Sequence, residues 1–166
     1  KYNIRIEQTS IGLNYIDTYH RSGIYPLPSE LPICPGLEAA GKVVEKGSEV
    51  KDINIGDRVA YATIPIGAYC EIRDFPSDKV VKIPDYITND EIASILLQGM
   101  TVEYLFERLY KIKKDDFILF HAAAGGVGLV ACQWARALGC NMIGTVSNEN
   151  KAKIAKQNGC KYTINY

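Results

Sequence analysis

The sequence predicts an α/β protein in two parts. A β-rich domain covers residues 1–99, and residues 100–166 form the first half of a doubly wound parallel sheet. Three observations carry this reading. Short alternating segments punctuated by Gly and Pro fill the first part. Helical spacing takes over near Thr88. Three glycines then lie within four residues in "HAAAGGVG", between a short apolar run and a helix-like one.

In chain order, "KYNIRIEQTSIGL" alternates polar and apolar residues as a half-buried strand does. "DTYHRSGIYPLPSELPICPG" carries four prolines and two glycines and reads as a long functional loop. "EAAGKVVEKG", "GDRVAYA", "GAYCEIRDF" and "DKVVKIPDYI" continue as short strands of a barrel-like or sandwich domain. In "TNDEIASILLQG", Thr88 and Glu91 make a capping box, and Ile92, Ile95 and Leu96 share a helical face. "TVEYLFERLYKI" reads as a second helix with Val102, Leu105 and Leu109 on one stripe.

"FILFH" is a short continuous apolar run, as a buried parallel strand should be. Val127, Val130, Ala131, Trp134 and Leu138 recur at helical spacing, and Gly139 ends that helix. "NMIGTV" is a strand, "NENKAKIAKQNG" a helix stopped by Gly159, and "KYTINY" a third strand. The order β-α-β-α-β is half of a doubly wound sheet, in which "FILFH" would lie at an unpaired edge. Both ends of the sequence fall within strand patterns, so a piece of a larger protein is expected.

The 166 residues are 47% hydrophobic and 23% charged, an ordinary globular composition. Lysines plus arginines number 19, as do aspartates plus glutamates. Zero net charge removes the electrostatic reason to expect nucleic acid or an anionic membrane. Neither a bilayer-spanning run nor a signal-peptide pattern is found. Five scattered cysteines without a CxxC pair argue against a disulfide framework and a zinc ribbon, and fit reduced thiols in a cytoplasmic protein.

The glycines need a reason. A helix start carries N–H groups without partners and a dipole that favours anions. Removing Cβ at Gly125 and Gly126 would let a phosphate touch the main chain, and Gly128 would let the helix pack closely on the strand. The dinucleotide fingerprint is met only as A-x-G-x-x-G, with Ala123 first. A turn built only for tight packing is the competing explanation. The second strand ends in Val146, Ser147 and Asn148, where an NAD site usually has an acid. Glu149 comes late, and Lys151 and Lys153 follow. That pattern suits a 2′-phosphate, although Lys151 also fits a solvated helix face.

These motifs resemble the medium-chain dehydrogenase/reductase superfamily. "DDFILFHAAAGGVGLVACQWAR", "IGLNYIDTYHRSGIYP" and "PGLEAAGKVVEKG" resemble its zinc-independent quinone oxidoreductase, or zeta-crystallin-like, branch. The resemblance implies a GroES-like substrate domain followed by a Rossmann NADPH-binding domain. It also implies a homodimer and NADPH-driven reduction of a quinone. Zinc-dependent members carry Gly-His-Glu where this chain has Gly36, Leu37 and Glu38, and Asn14 stands where their first zinc cysteine would be. No metal is therefore expected. His121 is left to core packing or a backbone hydrogen bond.

By the same resemblance, Asn14, Asp17 and Tyr19 lie near the nicotinamide in an interdomain cleft. Asn14 and Tyr19 would donate to a developing oxyanion, with Asp17 orienting its neighbours. Asn14 as a turn residue and Tyr19 as a packed aromatic remain alternatives. Thr101, and less clearly Gln98, match positions beside the nicotinamide. Ala124, Gly125, Gly126, Val127 and Gly128 would cradle the pyrophosphate, and Ser147, Lys151 and Tyr166 would contact the 2′-phosphate. An enone or alkenal reductase and a non-catalytic NADPH-binding protein are the rival functions.

Overall fold

A computed structural model describes residues 1–27 and 30–166. Pro28 and Ser29, within the proline-rich stretch, lie outside the described residues. The chain divides into two compact units, Lys1–Leu97 and Gln98–Tyr166.

The first unit contains β1 (Asn3–Gly12), α1 (Tyr15–Ser22), β2 (Glu38–Lys46), β3 (Arg58–Ala62), β4 (Ile72–Pro76) and β5 (Val81–Lys82). The strands pair antiparallel in the order β4-β1-β2-β3-β5. Alternation in β1 does what the sequence pattern predicts. Ile4 and Ile6 are buried, while Arg5 points outward and joins Glu45 and Asp74 on the two flanking strands. Ile4, Ile6, Val43, Val59, Tyr61 and Phe75 form the core, with the Tyr61 and Phe75 rings stacked at 4.1 Å. Each such side chain contributes about 1.5–3 kcal/mol on burial.

Two segments differ from expectation. The stretch read as a long loop begins with helix α1. Its start is fixed by the Asp17 carboxylate accepting the Asn14 N–H, and its end by Gly23 in the left-handed region at φ 76°. The two helices expected between Thr88 and Ile112 are one helix, α2 (Asn89–Glu103), running on into a wider turn of helix over Tyr104–Leu109. Gly99 does not break it, since a glycine inside a helix costs only about 1 kcal/mol relative to alanine, and α2 runs through it. The Thr88–Glu91 capping box is present, with Glu91 N–H donating to Thr88 Oγ1 at 3.2 Å and Thr88 N–H to Glu91 Oε2 at 2.8 Å. The boundary between the units falls within α2.

The second unit contains β6 (Phe117–Phe120), α3 (Gly126–Leu138), β7 (Asn141–Val146), α4 (Glu149–Gln157) and β8 (Tyr162–Asn165). Its strands are parallel in the order β6-β7-β8. Ala131, Cys132 and Ala135 of α3 pack with Met142, Val146, Ala152 and Ala155, small side chains that let the helices approach the sheet. Gly139 and Gly159 take the left-handed conformations that stop the helices, at φ 74° and 115°. "FILFH" is a parallel strand but not a buried one: Phe117 is 68% and Leu119 59% exposed, alternating with half-buried Ile118 and Phe120, so only one face of β6 is covered by the described residues.

Candidate cofactor cleft and catalytic residues

The turn after β6 is stitched to β7. Ala122 adopts a left-handed φ of 54°, and its N–H donates to Thr145 Oγ1 at 3.2 Å. Ala123 N–H donates to the Thr145 carbonyl at 3.0 Å. Gly125 N–H donates to the Ala122 carbonyl at 2.8 Å, and α3 begins at the next residue. The N–H groups of Gly126, Val127 and Gly128 form the first turn of α3, beyond the reach of any intrahelical carbonyl.

The three glycines serve different ends. Gly125 has an ordinary φ of −82°, so its value is space: a Cβ would sit 3.2 Å from the Ala122 carbonyl oxygen. A Cβ on Gly126 would lie 3.6 Å from Gln98 Cγ. Gly128 is buried, and its Cβ would lie 2.5 Å from Ala122 O and 2.6 Å from Ala123 C. The helix therefore packs closely on the turn itself rather than on the strand. His121 departs from expectation. Its ring is exposed, and Nδ1 lies 3.2 Å from Thr145 Oγ1, a side-chain contact rather than core packing or a backbone bond.

At the ends of β7 and β8, Ala122, Ala124, Gly125, Val146, Ser147, Lys151 and Tyr166 line one cleft of about 90 Å³. Five residues picked from sequence for the cofactor thus converge there: Ala124, Gly125, Ser147, Lys151 and Tyr166. Asn148 caps α4 by accepting the Lys151 N–H at 2.9 Å, which sets the approach of that lysine's turn. Tyr166 is held by its N–H, which donates to the Val146 carbonyl at 3.2 Å. Glu149, the late acid, accepts from the Asn165 side-chain amide. Gly126, Val127 and Gly128 follow on α3, while Gln98 and half-buried Thr101 belong to α2 and do not line the cleft.

Asn14, Asp17 and Tyr19 belong to the first unit. Asn14 is the N-cap of α1 and is buried. Its Nδ2 donates to Glu38 Oε2 at 2.7 Å. Asp17 is 4% exposed, and its Oδ2 accepts both the Asn14 N–H at 2.9 Å and the Tyr69 hydroxyl at 2.8 Å. Asp17 Oδ1 is buried and has no hydrogen-bond partner among the described residues. Tyr19 is half-buried between the rings of Tyr15 and Tyr25, at 5.5 and 5.4 Å. Burial pushes the Tyr69 phenol well above its usual range, and the Asp17 carboxylate beside it adds to the shift, so Tyr69 stays a donor.

Tyr69 and Gly12 carry no signal in the sequence, and Glu38 is matched there only to the Glu of Gly-His-Glu, with no role attached. Leu37 beside it is buried. Among the described residues, no group of three or more His, Cys, Asp or Glu side chains is placed to hold a metal ion, and no helix is long and apolar enough to cross a membrane.

The alcohol dehydrogenase GroES-like domain family matches residues 1–85, and the zinc-binding dehydrogenase family matches residues 126–166. The chain is 52% identical to a quinone oxidoreductase of Pseudomonas aeruginosa over 98% of its own length and 50% of that protein. It is 46% identical to a 2-haloacrylate reductase of a Burkholderia species over 98% of its length and 50% of that protein. The crystal structure of an Escherichia coli quinone oxidoreductase complexed with NADPH superposes with a TM-score of 0.96 at 50% identity, over 99% of this chain and 50% of that one. This chain thus spans about half the length of the curated relatives it matches. With a glycine turn opening α3, a cleft at the ends of β7 and β8, and these matches over both units, the chain belongs to the quinone oxidoreductase branch of the medium-chain dehydrogenase/reductase superfamily.

Proposed function

We propose that this protein is an NADPH:quinone oxidoreductase that works without zinc. The observation that carries the reading is the cleft shared by Gly125, Ser147, Lys151 and Tyr166, where a turn of alanine and glycine meets a lysine and a phenol. The residues fit the cofactor. Gly125 leaves open the space a Cβ would fill, and the adjoining helix start offers N–H groups to a pyrophosphate along Ala124, Gly125, Gly126, Val127 and Gly128. Ser147, Lys151 and Tyr166 suit the 2′-phosphate. Glu149, the nearest acid in sequence, is engaged by Asn165. Thr101 is assigned to the nicotinamide end.

Bound NADPH supplies the hydride. The chain's own residues hold the cofactor and steady the acceptor. Residues 1–99 are the acceptor-side domain, in which Asn14 and Tyr19 donate to the oxygen that gains charge, and Asp17 positions the start of α1. Two features support a metal-free site. Leu37 is apolar and buried, and the Asn14 amide is committed to Glu38. The reading includes a cytoplasmic homodimer. Five unpaired thiols suit a reducing compartment, and the family resemblance supplies the dimer.

A second reading is an enone-type reductase, favoured by the 46% identity to a 2-haloacrylate reductase, whose acceptor is also a conjugated carbonyl. Parallel turnover assays of the full-length protein with quinones and α,β-unsaturated acids separate the two. NADPH binding without turnover on either would leave a non-catalytic binder.

A further inference from the structure

We propose that Glu38 is the positioning residue for Asn14: its buried carboxylate fixes which end of the Asn14 amide turns inward, and so where the remaining N–H points. The inference rests on the reading of Asn14 as a donor to the acceptor.

Glu38 is a carboxylate at 1% exposure. It opens β2, the strand between β1 and β3, directly across from Gly12 and Ala62. Taking such a group out of water is costly unless donors meet it. Donors meet both oxygens here. Oε2 accepts from Asn14 Nδ2 at 2.7 Å, and Oε1 accepts from the Leu97 N–H of α2 at 2.8 Å. No cation pairs with Glu38 among the described residues. The strand opposite is cleared for the carboxylate: a Cβ on Gly12 would stand 2.4 Å from Oε2 and 2.3 Å from the Ala93 carbonyl oxygen.

A filler role needs no charge, since Leu or Met fills the same volume without the desolvation cost. What an ionised carboxylate adds is that it only accepts. Asn14 must therefore turn Nδ2, and never Oδ1, toward it. One of the two amide hydrogens is spent on Glu38, the amide cannot flip, and the second hydrogen has a fixed direction. The backbone end of Asn14 is held independently by Asp17. Both ends of the residue are thus pinned, at the junction where β1 gives way to α1.

The discriminating substitution is Glu38→Gln. The Leu97 N–H requires an acceptor and takes Oε1 of the glutamine. Nε2 then faces Asn14 Nδ2, donor against donor, and the Asn14 amide turns over. In the full-length protein assayed with NADPH and a quinone, kcat should fall about 100-fold, the scale of a lost oxyanion donor, with KM for NADPH unchanged. Asn14→Ala should cost as much, and the double variant no more than Asn14→Ala alone. Additive losses, or full activity in Glu38→Gln, would overturn the proposal. A second readout needs no turnover. In ¹⁵N-edited NMR of the wild type, the two Asn14 side-chain protons should be well separated, one shifted downfield, and Glu38→Gln should move both. A freely rotating Asn14 amide in the wild type would overturn the proposal whether or not the variant folds. Failure of the wild type to oxidise NADPH would instead refute the functional reading, and the NMR result would still decide the orientation of Asn14.

Discussion

Asn14 Nδ2 donates to Glu38 Oε2 across 2.7 Å, and the accepting carboxylate is 1% exposed. Burial raises the Glu38 carboxyl above the ordinary glutamate value. The bonds from Asn14 and from the α2 backbone pull it back, and the like charge of Asp17 adds to the rise. A folded-state value above the unfolded one means that Glu38's contribution to stability is fully present below the ordinary glutamate range. It is lost as pH rises through the raised value. Glu38→Gln removes that loss. In urea unfolding across a pH series, the stability of Glu38→Gln relative to wild type should therefore rise from acid pH toward neutrality. A difference that stays flat with pH would contradict the assignment.

The Tyr69 hydroxyl and the Asn14 N–H share Asp17 Oδ2. Tyr69→Phe removes one of the two donors from a carboxylate that is 4% exposed. A hydrogen bond to a charged group is worth about 1.5–3 kcal/mol. A loss of that size in chemical denaturation, with native circular dichroism retained, is the expected outcome.

Gly128 and Gly125 should fail differently. Gly128→Ala drives a Cβ to 2.5 Å from the Ala122 carbonyl oxygen, a backbone atom that cannot step aside. Overpacking of this kind costs about 1–3 kcal/mol, visible as a lowered urea midpoint. Gly125→Val faces an exposed turn with an ordinary φ, so the fold should persist. Isothermal titration should instead find NADPH affinity abolished, because the branched side chain fills the space proposed for the pyrophosphate.

Lys151 and Ser147 should set coenzyme choice. Lys151→Ala should weaken NADPH about 10- to 100-fold, the worth of a charge-assisted phosphate contact, and barely alter NADH. Ser147→Asp should move preference further toward NADH, by offering a ribose acceptor and repelling the phosphate. A wild type that favours NADH in kcat/KM would contradict the placement of the 2′-phosphate.

The parts legible in sequence are those written in local spacing. The Thr88–Glu91 box, the stripe from Val127 to Leu138 and the stops at Gly139 and Gly159 each lie within a few turns of chain, and each stands in the structure. Of the residues that line the cleft, Gly125, Ser147 and Lys151 follow from spacing at the ends of successive parallel strands, whereas Ala124 and Tyr166 come from the family resemblance alone. Helix α1 was not legible. It is eight residues long and runs into a proline-dense stretch, so loop signals outweighed a short helical one. The continuity of α2 past Gly99 is hidden because a glycine between two apolar stripes reads as a helix stop, while inside a helix it costs only about 1 kcal/mol. The Asn14–Glu38 and Asp17–Tyr69 contacts join residues 24 and 52 positions apart. The first depends on the pairing of β1 with β2 and the second on the segment between β3 and β4, where the Tyr69 N–H donates to the Pro35 carbonyl at 3.0 Å, and no local pattern encodes either.

Hydride transfer from NADPH to a quinone without a metal is tested most directly by the loss of reduced-nicotinamide absorbance in the full-length protein after exhaustive chelation, with and without quinone. Oxidation of NADPH should require the quinone, survive the chelator and fall sharply in Lys151→Ala at limiting NADPH. NADPH left unoxidised in the presence of quinone, or turnover that chelation abolishes and zinc restores, would contradict it.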